Sequence, residues 1–204
     1  MVFFISKGNL GLKDQHLALT WIKENVSAFG GDPQNITLFG ESAGSASVHY
    51  HMLSRKSQGL FHKAIMQSGT ALCSWTQTKD PDAKVEMMAK TLNCSGKTSK
   101  EIKDRLRKVP CYDLVQAGTK LNQMPHLTTF NPVVERSGGE DAFLEQDPGR
   151  IMESAAVHGV PKIPMLIGYT ANEMAPWAAT LLNVKKLAPK MNDPKFIRDM
   201  FRSA

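Results

Sequence analysis

The chain has 204 residues, enough for one domain with a buried core, and its 42% hydrophobic and 22% charged content is that of a globular protein. Its net charge of +6 is dispersed; the densest basic group, Lys100 to Lys108, is interleaved with Glu101 and Asp104, which reads as a solvated helix face and implies no nucleic-acid partner. The three cysteines Cys73, Cys94 and Cys111 are too few and too scattered for a disulfide scaffold or a zinc site, Met1–Ile5 is too short and uncharged for a signal-peptide start, and no stretch is long enough to span a membrane.

Val2–Ser6 reads as a short strand or a ragged start. Apolar Leu12, Leu17, Leu19, Ile22 and Val26 fall at near-helical spacing, which predicts a helix over Leu12–Val26. Phe29-Gly30-Gly31-Asp32-Pro33 breaks it. Ile36–Phe39 is predicted as a buried strand, Ser42–Leu53 as a helix and Lys63–Gln67 as a strand. Asp82–Leu92, Ser99–Val109 and Tyr112–Gln123 read as three surface helices, the second with Ser99 as N-cap and Glu101 and Asp104 in its first turns. Asn131–Val134 and Ile163–Ile167 read as further strands, His158 as a surface loop residue before the second of them. Ala171–Asn183 reads as a helix interrupted by Pro176, and the tail as helical at its end. There are no internal repeats and no low-complexity linker. Strands alternating with helices predict a mostly parallel sheet, an α/β fold with helices on both faces.

The pentapeptide Gly40-Glu41-Ser42-Ala43-Gly44 lies between a predicted strand and a predicted helix. Strand, G-x-S-x-G, helix is the layout of a nucleophile elbow. A tight turn there holds the Ser42 hydroxyl out from the sheet, flanking glycines keep side chains out of the space between strand and helix, and the Ala43 N–H points to where an oxyanion would form. The same five residues also read as an ordinary Gly/Ser-rich turn.

Three runs, Gly8-Asn9-Leu10-Gly11-Leu12-Lys13-Asp14-Gln15, Phe29-Gly30-Gly31-Asp32-Pro33 and Phe39 to Gly44, together closely resemble the type-B carboxylesterases, the family of the cholinesterases and carboxylesterases. The resemblance continues through Ser57–Phe61 and Ala64–Gly69, and more loosely through Phe130–Glu135 and Leu166-Ile167-Gly168 to Glu173. It implies one partial α/β-hydrolase domain over residues 1–204 and a metal-free, cofactor-free reaction on a small-molecule carboxylic ester. It implies Ser42 as nucleophile, Ala43 as one oxyanion donor and Glu173 as the acid that orients a histidine. Read from the residues alone, Glu173 is first a carboxylate at a helix N-terminus, and the resemblance reverses that reading. By the same resemblance Glu41 lies near the substrate, Ser68 supports the triad histidine, and Trp75 falls where many members place an aromatic near the acyl pocket, although Trp75 also reads as a core residue.

Departures from the family pattern shape the expectations further. The resemblance places a glycine-rich oxyanion loop before Gly8 and the triad histidine beyond Glu173, and neither is in this sequence. The six histidines, His16, His49, His51, His62, His126 and His158, all precede Glu173. The family's usual partner for Cys94 lies in a C-L-R stretch that here reads Arg105-Leu106-Arg107. Cys111 is a substitute partner, and three free thiols are the simpler reading. Asn35-Ile36-Thr37 and Asn93-Cys94-Ser95 match the glycosylation pattern, the first opening the predicted buried strand and so not expected to be modified, the second relevant only to a secreted chain. Two functions follow: an ester hydrolase by family, expected to turn over little as these 204 residues alone, or a non-catalytic esterase-like interaction protein or degenerate duplicate. No compartment is implied.

Overall fold

Among the residues described by the computed structural model (8–121, 130–135, 139–158, 162–173 and 193–195), three parallel strands form one sheet. Val2–Ser6, His126 and the expected helix and tail beyond Glu173 lie outside the described residues, apart from 193–195.

Helix α1 spans Leu10–Asn25 and buries Leu12 and Leu19, two turns apart on one face. It starts two residues before the expected Leu12 because Asn9, at φ 58°, takes the left-handed conformation that asparagine tolerates. A 3-10 turn, Val26–Phe29, follows and ends at Gly30 with φ 80°, which is the breaker expected from the glycines and proline.

Strand β1 (Thr37–Glu41) leads into helix α2 (Ala43–Leu53) and back to strand β2 (Lys63–Gln67), parallel to β1. Strand β3 (Met165–Gly168) pairs with the other edge of β2. The register aligns Phe39 with Ile65 and Leu166 in one row, and Leu38 with Ala64 and Met165 in the next. Successive residues of a strand face opposite ways. One face carries Leu38, Ala64 and Met66, packed with Val48 of α2 and with Phe61. The other carries Phe39, 72% exposed, and Leu166, 66% exposed. Strand β1 is therefore half-covered in the described structure, where the sequence predicted it buried.

A second core lies on the far side of α2. Tyr50, Leu53 and Ala46 pack there against Leu12, Ala71, Phe143 and Leu144. The Tyr50 hydroxyl, carried into this core, donates to the Thr76 carbonyl at 2.9 Å, so its polar end is satisfied. A smaller cluster of Ala89, Cys94 and Ile102 joins helix α3 (Pro81–Thr91) to helix α4 (Ser99–Leu106); helix α5 (Cys111–Leu121) follows.

Three local expectations need correction. The N-cap of α4 is Thr98, whose Oγ1 accepts from the Glu101 N–H at 3.2 Å, and Ser99 is the first helical residue. Asn131–Val134 is irregular rather than a strand: Pro132 has no N–H for a ladder, and Val133 pairs instead with a side chain, donating to Asn9 Oδ1 at 2.9 Å and accepting from Asn9 Nδ2 at 2.7 Å. Residues 148–158 form helix α6, and His158 closes that helix rather than sitting in a loop. Its start was readable: Pro148 occupies the first turn, and Asp147 Oδ1 accepts from the Gly149 N–H at 2.9 Å.

Candidate active site

Ser42 joins the end of β1 to the start of α2 at φ 55° and ψ −117°. That backbone conformation is strained for a residue with a Cβ and persists only where its surroundings fix it. Here the Ser42 N–H donates to the Gln67 carbonyl of β2 at 2.8 Å, and the Ser42 carbonyl accepts the first bond of α2, from Ala46, at 3.0 Å. A serine at a helix N-cap ordinarily turns its hydroxyl onto the first free N–H groups. Ser42 makes no such cap bond. Its hydroxyl is left for other chemistry, and Ala43, exposed beside it, starts a helix whose first N–H groups have no intrahelical acceptor.

The two flanking glycines are not equivalent. A Cβ on Gly40 would sit 2.4 Å from the Gly44 carbonyl carbon, so the close approach of β1 and α2 requires glycine there. A Cβ on Gly44 would meet nothing within 4 Å. The expected steric reason holds for Gly40 and fails for Gly44.

Glu173 lies across the end of β2 and β3. Its Oε1 accepts from the Ser68 hydroxyl at 2.6 Å and from the Thr170 N–H at 2.7 Å. The Ser68 hydroxyl first, and the Thr170 N–H after it, hold the Glu173 carboxyl below the usual carboxylate value. Glu173 itself is exposed. Ser68 has a positive φ of 58°, and its N–H donates to the Gly168 carbonyl at 2.8 Å, tying the end of β2 to the end of β3. Glu41, the last residue of β1, is exposed beside the turn. Trp75 is partly buried against the Tyr50 core, and its ring lies 3.2 Å from where a Cβ on Gly69 would be.

The histidines with described side chains are engaged elsewhere. His49 Nδ1 accepts from the Ala71 N–H at 3.1 Å. His51 has Nδ1 2.8 Å from Ser57 Oγ and Nε2 3.1 Å from Gln15 Oε1. His62 Nδ1 accepts from the Ile36 N–H at 3.2 Å. His16 Nδ1 is buried without a partner among the described residues. Burial pushes His49 and His16 below the ordinary histidine value, and His51 down to about 4. A cavity of about 230 Å³ is lined by His51, Ser57, Phe61, His62, Lys162 and Ile163, and so lies away from Ser42 and Glu173. Among the described residues no cluster of His, Cys, Asp and Glu could hold a metal, the three cysteines are free, and no helix is long and apolar enough to cross a membrane.

The profile of the carboxylesterase family matches residues 5–203. The chain belongs to the carboxylesterase family. Among the described residues, its three-stranded parallel sheet with helices is consistent with part of the α/β-hydrolase fold of that family. It is 41% identical over 187 residues to a carboxylic ester hydrolase of Bombus ignitus, covering 91% of this chain and 32% of the relative. Venom carboxylesterase-6 of Apis mellifera is 39% identical over 188 residues, 91% of this chain and 33% of that protein. Juvenile hormone esterase of Tribolium castaneum is 37% identical over 194 residues, 91% of this chain and 32% of that protein. The chain thus spans about a third of the length of these curated relatives.

Three further residues make buried polar bonds that the sequence did not announce. Ser45, fully buried, donates from Oγ to the Gly69 carbonyl at 2.6 Å. His49 holds Ala71, as described above. Glu135, 8% exposed, accepts from Asn9 Nδ2 at 3.0 Å, from the Phe143 N–H at 2.7 Å and from the Lys13 ammonium. A carboxylate among apolar neighbours needs such partners, but nothing in local spacing announced them.

Proposed function

We propose that this chain carries the nucleophile and the acid of a serine carboxylic ester hydrolase. The observation that supports this reading most is Ser42 at φ 55°, on the β1–α2 turn, with no cap bond of its own. Ser42 Oγ attacks the ester carbonyl, and the Ala43 N–H stabilises the oxyanion of the tetrahedral intermediate. The alcohol leaves, an acyl-Ser42 intermediate forms, and water releases the acid. Glu173 orients the histidine that takes the serine proton and stabilises the resulting imidazolium. Glu41 and Trp75 border the substrate, and Ser68 supports Glu173.

None of the histidines with described side chains is placed to serve as the general base. Of the six histidines, the four with described side chains are held by α1, by the loop after β2, by Ser57 or by the strand entry at Ile36, or are buried on α1. The substrate is a small carboxylic ester, the class named by relatives from Bombus ignitus and Apis mellifera. The non-catalytic reading is disfavoured because Ser42 is retained in a strained, uncapped geometry that an interaction protein has no use for.

The test is hydrolysis of p-nitrophenyl butyrate by the protein expressed with the flanking sequence its gene encodes. Ser42→Ala is expected to lower kcat/KM at least about 10³-fold, and Ser47→Ala to leave it unchanged. A Ser42→Ala protein that keeps its rate would remove the reading.

A further inference from the structure

The turn that follows β2 carries Ser68 at a positive φ of 58°, which a serine does not keep unaided. One side of the turn is fixed by the sheet, since the Ser68 N–H donates to Gly168 at 2.8 Å. The other side is fixed by α2. Ser45 and His49 stand one helical turn apart and therefore share a face of α2. Ser45 Oγ donates to the Gly69 carbonyl at 2.6 Å, and His49 Nδ1 accepts the Ala71 N–H at 3.1 Å. One side chain satisfies an acceptor and the other a donor, two residues apart on the turn. Both side chains are buried, Ser45 at 0% and His49 at 7% exposure, so water does not replace either bond at low cost. The fit is close, because a Cβ on Gly69 would stand 2.6 Å from the Ser42 carbonyl oxygen. A shift of this turn therefore moves Ser68 and presses on Ser42 together.

We infer that Ser45 and His49 are positioning residues, clamping the 68–71 turn onto α2 so that Ser68 presents its hydroxyl to Glu173 while the turn braces the Ser42 backbone. This rests on the reading of Ser42 and Glu173 as nucleophile and acid. In this arrangement the helix that begins at the nucleophile also sets the acid, through two side chains that touch neither substrate nor Glu173. His49 acts as the neutral imidazole, since only an unprotonated Nδ1 accepts from Ala71.

The test is titration of the Glu173 carboxyl by carbon-13 NMR in the 204-residue chain, its signal assigned by its loss in Glu173→Gln. Ser45→Ala and His49→Leu are each expected to shift the Glu173 midpoint upward, because a displaced Ser68 no longer stabilises the carboxylate. His49→Asn is expected to restore the parent midpoint, since its Oδ1 takes the place of Nδ1 as acceptor. A general loss of packing would not be reversed by that replacement. Should Ser45→Ala fail to fold, the His49→Leu and His49→Asn pair decides alone. An unchanged midpoint in folded Ser45→Ala and His49→Leu, or no rescue by His49→Asn, overturns the inference. Covalent labelling of Ser42 separates the two levels. A Ser42 that labels with added imidazole beside an unmoved Glu173 midpoint would sink the clamp and keep the hydrolase reading, whereas a shifted midpoint with a Ser42 inert even in imidazole would do the reverse.

Discussion

Two glutamates hold this molecule together in opposite ways. Glu135 is 8% exposed and is ringed by Asn9, Lys13 and the N–H groups of Phe143 and Leu144. Glu173 is exposed and takes Ser68 and the Thr170 N–H on a single oxygen. Burial alone would raise the Glu135 carboxyl, but the donors from Lys13, Asn9, Phe143 and Leu144 prevail and hold it low. Glu173 is held low by hydrogen bonds almost alone. A carboxylate saturated by its own fold has nothing left to offer a substrate or a catalytic partner. One that is oriented yet open to solvent can still receive another donor, as a triad acid must.

The contrast is broken most severely at Glu135. Glu135→Ala leaves the Lys13 ammonium without its carboxylate and two buried N–H groups without an acceptor, a loss of about 3–5 kcal/mol by urea melts. Glu173→Gln, at an exposed position, is expected to change stability by less than about 0.5 kcal/mol, while lowering turnover of the flanked protein by about 10³–10⁴-fold. Equal effects on stability would erase the distinction.

Acid sharpens the same contrast. His51 packs edge-on against Phe143, with ring centroids 5.1 Å apart, and so belongs to the Glu135 side of the molecule. Burial first, and His16 on α1 after it, disfavour a positive charge on His51. Its folded value, about 4, lies below the ordinary 6.5. Between those values the unfolded chain binds the extra proton, so stability is lost as pH falls from 6.5 towards 4, by up to about 3 kcal/mol. Glu135, also depressed, contributes stability above its ordinary value and loses it at lower pH than His51 does. His51→Gln is expected to flatten the upper part of the urea-midpoint profile and leave the lower part in place.

The smallest effects separate the two glycines of the Ser42 turn. Gly40→Ala drives a Cβ into the Gly44 backbone at 2.4 Å and is expected to cost about 2 kcal/mol or more. Gly44→Ala meets nothing within 4 Å, in a helix that favours alanine, and is expected to be neutral or to stabilise by up to about 1 kcal/mol. Thermal melts of the pair decide this.

Much of this was legible because it is local. The strand over Lys63–Gln67 was read to the residue, and α1, α2 and α3 to within two residues, since apolar spacing, glycines and caps sit within a few positions of each other. The candidate site came from two different signals: Ser42 from its Gly-x-Ser-x-Gly turn between strand and helix, Glu173 only from the resemblance to the family, since its own surroundings read as a helix N-terminus. What escaped is non-local. Asn9 substitutes for a strand partner of Val133 across 124 positions, which turned an expected strand into an irregular segment. The Glu135 ring and the Ser45 and His49 bonds join residues whose spacing carries no period. Strand β1 read as buried because its residues are apolar, and composition alone does not tell which face of a sheet is covered.

The most direct test of the proposal that Ser42 is the nucleophile and that no described histidine serves as its base is site-mapped fluorophosphonate labelling of the folded chain with and without added imidazole as surrogate base. A phosphonyl adduct on Ser42 that depends on imidazole and is absent from Ser42→Ala is the expected result. An adduct on Ser42 without imidazole would place the base among the six histidines of the chain, and no Ser42 adduct under either condition would contradict Ser42 as the nucleophile.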